Sequence, residues 1–246
     1  MSNQTIKIFL VANLLLLLTA IWRSESLPTP SELYPLLLNE PVQTKVTTPA
    51  FTSVSKDINY TVQPLYEYDL VGLVVSKHDA NTWWDYIHSE WNDNLNIVDL
   101  CVVWGNNVRN GAYAAIDFSS GQFTCNFSTN SNEAFAAFDQ SAISNNHLLT
   151  DQASIAKKLR SVRVGDQIHF RGHLVEYSHN HGFPFKRGTS IVRTDTGNGA
   201  CETVFIQSVE ILKTGGKAWR FLVWFASGML LLGVLTWFSR PVRFND

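Results

Sequence analysis

The chain has 246 residues, 45% of them hydrophobic and 16% charged, and a net charge of −2. This allows one ordinary globular domain plus additional apolar segments. Between residues 60 and 212, ten basic side chains stand against sixteen acidic ones, a balance of −6 that argues against nucleic-acid binding by this region.

The first apolar segment, Ile8 to Trp22, is interrupted only by Asn13 and Thr19. It is short for a membrane span and long for a signal-peptide core. Only Ala20 offers the small residue that cleavage requires, and bulky Ile21 and Trp22 follow it. Residues 1–23 are therefore expected to form an uncleaved anchor, with a signal peptide as the alternative. Residues 24–56 contain five prolines and many Ser and Thr, which predicts a linker with one short helix at Ser31 to Asn39.

Residues 57–212 are expected to form the folded domain. Clusters of β-branched and apolar residues predict strands at 68–76, 98–105, 122–128, 166–177, 189–195 and 200–212. Trp84, Ile87, His88 and Trp91 would share one face of a helix capped by Asn81, with the Trp83, Trp84 and Trp91 cluster packing into the core. Ile155, Leu159 and Val162 predict a second helix, started by Thr150 or Asp151 and ending in basic residues that complement its dipole. This order fits a mainly β fold with short helices: an OB-like Greek-key barrel, or alternatively an α+β antiparallel sheet. In segment 213–246, Phe221 to Phe238 is free of charge and is bracketed by Lys213, Lys217, Arg220, Arg240 and Arg243, which predicts a transmembrane helix with a short basic tail. The flanking charges are nearly balanced and do not fix orientation. The signal-like start favours an exported, periplasmic middle domain.

Three cysteines permit at most one internal disulfide. Cys101 and Cys125 fall on successive predicted strands and could bridge, and three buried thiols are an equal reading. Asp195-Thr196-Gly197 matches the aspartic-protease triplet, but no second copy exists and Arg193 would hold the carboxyl ionised. Gly197-Asn198-Gly199 precedes a strand instead of a helix, so a phosphate loop is disfavoured, whereas Asn198-Gly199 suits a type I′ hairpin turn. His169 and His173 lie on one strand about 13 Å apart at roughly 3.3 Å per residue, too far to share an ion. His179 and His181, in the loop SHNHGFPFKRG, could chelate as an alternating pair with further ligands from elsewhere, the alternative being ordinary histidines of a solvated loop. His169, Arg171 and His173 share a strand face, and with Arg193 and Asp195 on a neighbouring strand they would line a polar groove or the wet side of the sheet.

The stretches RGTSIVRTDTGNGACETVF, YDLVGLVVSKHD, DLCVVWGNNV, SNNHLL and SVRVGDQIHFRGHLVEY resemble a family of bacterial membrane-anchored proteins to which no activity is assigned. The resemblance spans about residues 57–212 and implies a bacterial envelope protein without supplying catalytic residues. The resulting expectation is a non-enzymatic accessory protein of the bacterial inner membrane, using no cofactor and binding a protein partner through the His169, Arg171, His173 and Arg193 face. A metal- or small-ligand-binding sensor is second and a hydrolytic enzyme third.

Overall fold

The structure, a computed structural model, describes residues 3–197 and 199–239. In chain order the elements begin with α1 (Asn3–Ser24), β1 (Val42–Lys45), β2 (Phe51–Ser55), β3 (Ile58–Asp79), α2 (Ile87–Glu90), β4 (Asn96–Val103) and α3 (Gly105–Asn110). They continue with β5 (Asp117–Gly121), β6 (Thr124–Ser128), α4 (Asn132–Ala137), β7 (Ile143–Leu149) and α5 (Ala153–Ser161). Last come β8 (Gln167–His179), β9 (Phe185–Arg187), β10 (Glu202–Lys213) and α6 (Lys217–Phe238).

The chain divides into two compact units, the terminal segments 1–26 with 215–246, and the intervening residues 27–214. In the terminal unit, α1 and α6 run antiparallel: Lys7 lies 5.8 Å from the Trp237 ring and Arg23 lies 5.7 Å from the Trp219 ring. Gly233 lets them approach, since a Cβ there would stand 2.6 Å from Leu10 Cδ2. Both helices are long and apolar enough to cross a membrane.

The second unit is a mixed, sheet-rich fold with short helices. Its main sheet runs β1-β3-β4-β7-β10-β8-β9, with β2 also on β3 and a further pairing of β3 with β8. All pairs are antiparallel except β7 with β10. β4 is buried along its whole length because apolar clusters cover both of its faces. Val98, Leu100 and Val102 join Tyr68, Leu70, Phe170, Leu174 and Val204 on one face, while Cys101 and Val103 meet the β5–β6 hairpin and α3 on the other. Gly172 is required where β8 crosses β10, because a Cβ would run into the Phe205 carbonyl. Cys101 and Cys125 form a disulfide with their Cα atoms 5.7 Å apart, tying the hairpin to β4.

Four expectations change. Residues 27–56 are part of the domain: Leu37 is fully buried, the Tyr34 amide donates to Gln167 Oε1 at 2.8 Å, Tyr113 Oη donates to the Pro28 carbonyl at 2.7 Å, and β1 and β2 both pair with β3. The predicted helix at 31–39 is two separate 3-10 turns, broken by extended backbone at Leu33 and Tyr34. Only Ile87–Glu90 of the Trp-rich segment is helical, and Trp83 is 95% exposed, so it is no core residue. Residues 189–195 form a loop, not a strand, held by the Ser190 amide donating to the Cys201 carbonyl at 2.8 Å. Asn198 of the expected Asn-Gly turn lies outside the described residues; Gly197 and Gly199 both have positive φ, a conformation that glycine adopts freely.

Candidate functional site

The outward face of β4, β7 and β10 carries Asp99 and Cys101, His147 and Asn145, and Thr203 with Cys201 just before the strand. Strand alternation places these side chains opposite the Leu100, Leu148 and Val204 core. Asp99 pairs with His147 and His147 with Thr203, so one row crosses all three strands.

A buried chain of hydrogen bonds runs into this row. His78 Nε2 and His88 Nδ1 each lie 2.6 Å from Asp85 Oδ2, and the His88 amide donates to Asp85 Oδ1 at 3.1 Å. Asn96 Nδ2 reaches both His88 Nε2 and Asp99 Oδ1 at 2.8 Å, and Asp99 Oδ1 lies 2.7 Å from His147 Nδ1. Donor and acceptor chemistry assigns the proton positions from these contacts. An amide nitrogen only donates, so His88 Nε2 accepts and its proton sits on Nδ1, aimed at Asp85. Likewise His147 gives its Nδ1–H to Asp99, leaving a lone pair on Nε2, which has no hydrogen-bond partner among the described residues.

Charge follows the same logic. Burial pushes Asp99 upward, but His147, Arg187 and the Asn96 amide outweigh it, and the carboxyl is held well below its ordinary value. For His147, burial outweighs the attraction of Asp99 and lowers the ring, so the pair consists of an ionised carboxylate and a neutral imidazole.

Phe123, at the β5–β6 turn, covers the relay. Its backbone is left-handed at φ +63, its amide donates to Asp99 Oδ2 at 3.3 Å, and its ring lies 4.2 Å from that of His88 and 5.7 Å from that of His147. A bulky residue in that conformation is strained, and the strain is held by packing on both sides. The Arg187 guanidinium stacks 3.9 Å over the same ring. Beyond it lies a cavity of about 410 Å³ lined by Phe123, His147, Arg187, Ser190, Cys201 and Thr203. Arg187 Nη1 stands 3.8 Å from Asp93 Oδ2, beyond hydrogen-bond range, and is also without a hydrogen-bond partner. The cavity is thus lined by two residues that each keep a buried polar atom without a hydrogen-bond partner, His147 and Arg187, and by the cysteine Cys201. Cys201 is the free cysteine; burial pushes its thiol up, against a hydrogen bond from Asn145 Nδ2 at 3.8 Å.

No family model, curated protein or solved structure matches this chain.

The sequence-predicted residues are distributed differently. His169, Arg171 and His173 do share the polar face of β8, where His169 Nε2 and Arg171 Nε both meet Asp69 at 2.7 Å. Arg193 does not join them. It packs on the opposite face, 5.0 Å from Trp104 and 5.8 Å from Tyr68, and pairs with buried Glu202 at 2.6 Å. Asp195 takes a hydrogen bond from Ser190 Oγ and lines a second cavity beside Cys125 and Cys201.

His179 cannot chelate with His181. Its Nε2 donates to the Trp91 carbonyl at 2.9 Å, its Nδ1 accepts the His181 amide at 3.1 Å, and its ring stacks on Phe185. His78, Asp85 and His88 instead bring ligand atoms within 4.8 Å of one another, a spacing suited to a metal. Their hydrogen bonds fill that set, since ligation through His88 Nδ1 would require Asn96 to stop donating to Nε2 and to turn an acceptor toward Asp99. The sequence signal for the relay is Asp99, an acidic residue set within the apolar run IVDLCVV; His147, in the polar stretch SNNH, has no such frame.

Proposed function

We propose that the protein is a membrane-anchored binding domain that takes a small acyl ligand, one presenting a carbonyl oxygen beside an N–H or O–H group, in the cavity between His147 and Arg187. The observation that carries this reading is that two residues lining one cavity, Arg187 and His147, each keep a buried polar atom without a hydrogen-bond partner, the donor Nη1 and the acceptor Nε2. Such groups cost about 1–3 kcal/mol each when left unsatisfied, so a ligand that reaches both on a small side-chain adjustment would be favoured.

The scaffold in this reading is an OB-like barrel. In support, the pairings β3-β4-β7-β10-β8 return to β3, β7 and β10 are parallel, and α5 lies between β7 and β8. Beside Arg187, the strand residues that line the cavity, His147 and Thr203, lie on β7 and β10, the third and fifth strands of such a barrel. Placement in a bacterial inner membrane, with this domain on the periplasmic side, is supported by the α1–α6 pair and the Cys101–Cys125 disulfide. A protein partner docking on the β8 polar face has less support, because His169 and Arg171 are already engaged by Asp69.

Saturation-transfer NMR on the full-length protein in detergent micelles, against a panel of small carboxamides and carboxylic acids, tests the binding reading. Transfer to at least one compound, lost in His147→Leu and in the cavity-filling Cys201→Leu, is expected. No transfer to any of them would contradict it.

A further inference from the structure

We infer that the domain has a second ligand site, a polar pocket beside the segment that joins β3 to β4, and that it takes a saccharide ring. The pocket has a volume of about 250 Å³ and shares no lining residue with the cavity beside His147, so it stands apart from the reading of that cavity. Sites for drug-sized ligands typically measure about 300–1,000 Å³, so this one suits a single small ring.

Local hydrogen bonds shape the segment. The Asn81 amide donates to Asp79 Oδ1 at 3.0 Å and the Thr82 hydroxyl to the Asp79 carbonyl at 3.1 Å. The Asp85 amide then donates to the Thr82 carbonyl at 3.1 Å, closing a turn around Trp83 and Trp84, and Gln122 Nε2 holds the Trp84 carbonyl at 3.1 Å. The backbone at Trp83 is thereby pinned, yet Trp83 lines the pocket while 95% exposed. Trp84, Tyr86 and Trp91 are exposed as well, a concentration of aromatic surface that marks a contact site.

The rest of the lining is polar and divides by depth. Asp85, His88, Asp93 and Asn96 are buried, whereas Lys56, Asn81, Ser89 and Arg160 are exposed at the mouth. Asp93 and Asn96 each keep a buried oxygen, Oδ1, without a hydrogen-bond partner among the described residues, so on a small side-chain adjustment the deep side takes donors. Lys56 and Arg160 can only donate, so the mouth takes acceptors. A carboxylate would serve the mouth alone and an ammonium the floor alone, but a hydroxyl donates once and accepts twice. The C–H face of a sugar ring, slightly positive, is drawn to the negative face of an indole. A pyranose, hydroxylated at its edge and apolar on its face, uses floor, mouth and Trp83 together.

Saturation-transfer NMR on the full-length protein in dodecylphosphocholine micelles, a detergent without sugar, tests this with methyl glucoside, methyl galactoside, methyl mannoside, cellobiose and maltotriose. Transfer to at least one of them is expected, strongest at the ring C–H protons. Trp83→Ala is expected to weaken that binding roughly tenfold or more, and Trp83→Phe to keep most of it. The exposed position spares the fold in both variants, which thermal melting checks. Binding should persist in Cys201→Leu, whose other cavity is filled. No transfer to any of the five sugars, or transfer unchanged in Trp83→Ala, would overturn the inference, and either result leaves the reading of the His147 cavity standing.

Discussion

Asp99 and His147 face each other across β4 and β7, with Oδ1 and Nδ1 2.7 Å apart and both side chains fully buried, at the end of a relay that begins at His78. An ionised carboxylate is tolerated there because His147, the Asn96 amide and the Phe123 backbone all donate to it. Removing its charge without changing its shape should be costly. Asp99→Asn places an amide against two donors and is expected to lower unfolding free energy by about 2–4 kcal/mol in urea titration. A loss below about 0.5 kcal/mol would mean the relay is not held through Asp99.

Phe123 keeps water from the same pair. In Phe123→Ala the His147 ring gains solvent, its proton affinity is no longer depressed by burial, and its titration should move upward toward the ordinary histidine value. A proton NMR titration of His147 reads this shift, and an unchanged midpoint would remove Phe123 from its role as cover.

The disulfide fastens the hairpin that carries Phe123. Cys101 and Cys125 are separated by 24 positions, for which the chain-entropy estimate is about 3.5 kcal/mol. Cys101→Ser, or reduction of the wild type, is expected to lower stability by that order and to make the two proteins alike under reducing conditions. Equal stability of the oxidised wild type and the variant would show that the bond does not contribute.

Glu202 gives a pH signature of its own. Burial raises its carboxyl, beyond what Arg193 restores, to about 7 from an ordinary 4.5. With the folded value above the unfolded one, its contribution is full below pH 4.5 and is lost as pH rises through 7. The wild type should therefore lose about 3 kcal/mol relative to Glu202→Gln between pH 4.5 and 8, measured by chemical denaturation at both ends. Parallel pH profiles would contradict the raised carboxyl.

The legible and illegible parts of this chain differ for physical reasons. β8 could be read because Ile168, Phe170 and Leu174 alternate with His169, Arg171 and His173, so one face is apolar and one is wet. The two apolar terminal helices were legible for a similar reason, as unbroken runs. β7 was not, because its buried outward face carries Asn145 and His147, which hide the period-two pattern. The loop at 189–195 misled in the other direction: Ile191 and Val192 look like strand residues, yet they are exposed, and nearby Gly197 and Gly199 turn the backbone. The relay was illegible as a unit because its members join four separate segments through contacts as distant as Asp99 to His147, 48 positions apart.

The central claim is that this relay fixes His147 as a neutral ring with its proton on Nδ1 and an unpartnered lone pair on Nε2. Long-range proton–nitrogen correlation NMR of histidine-labelled protein at neutral pH distinguishes the two ring nitrogens directly. The account predicts a protonated, hydrogen-bonded Nδ1 and an unprotonated Nε2 for His147, and a proton found on Nε2, or on both nitrogens, would contradict it.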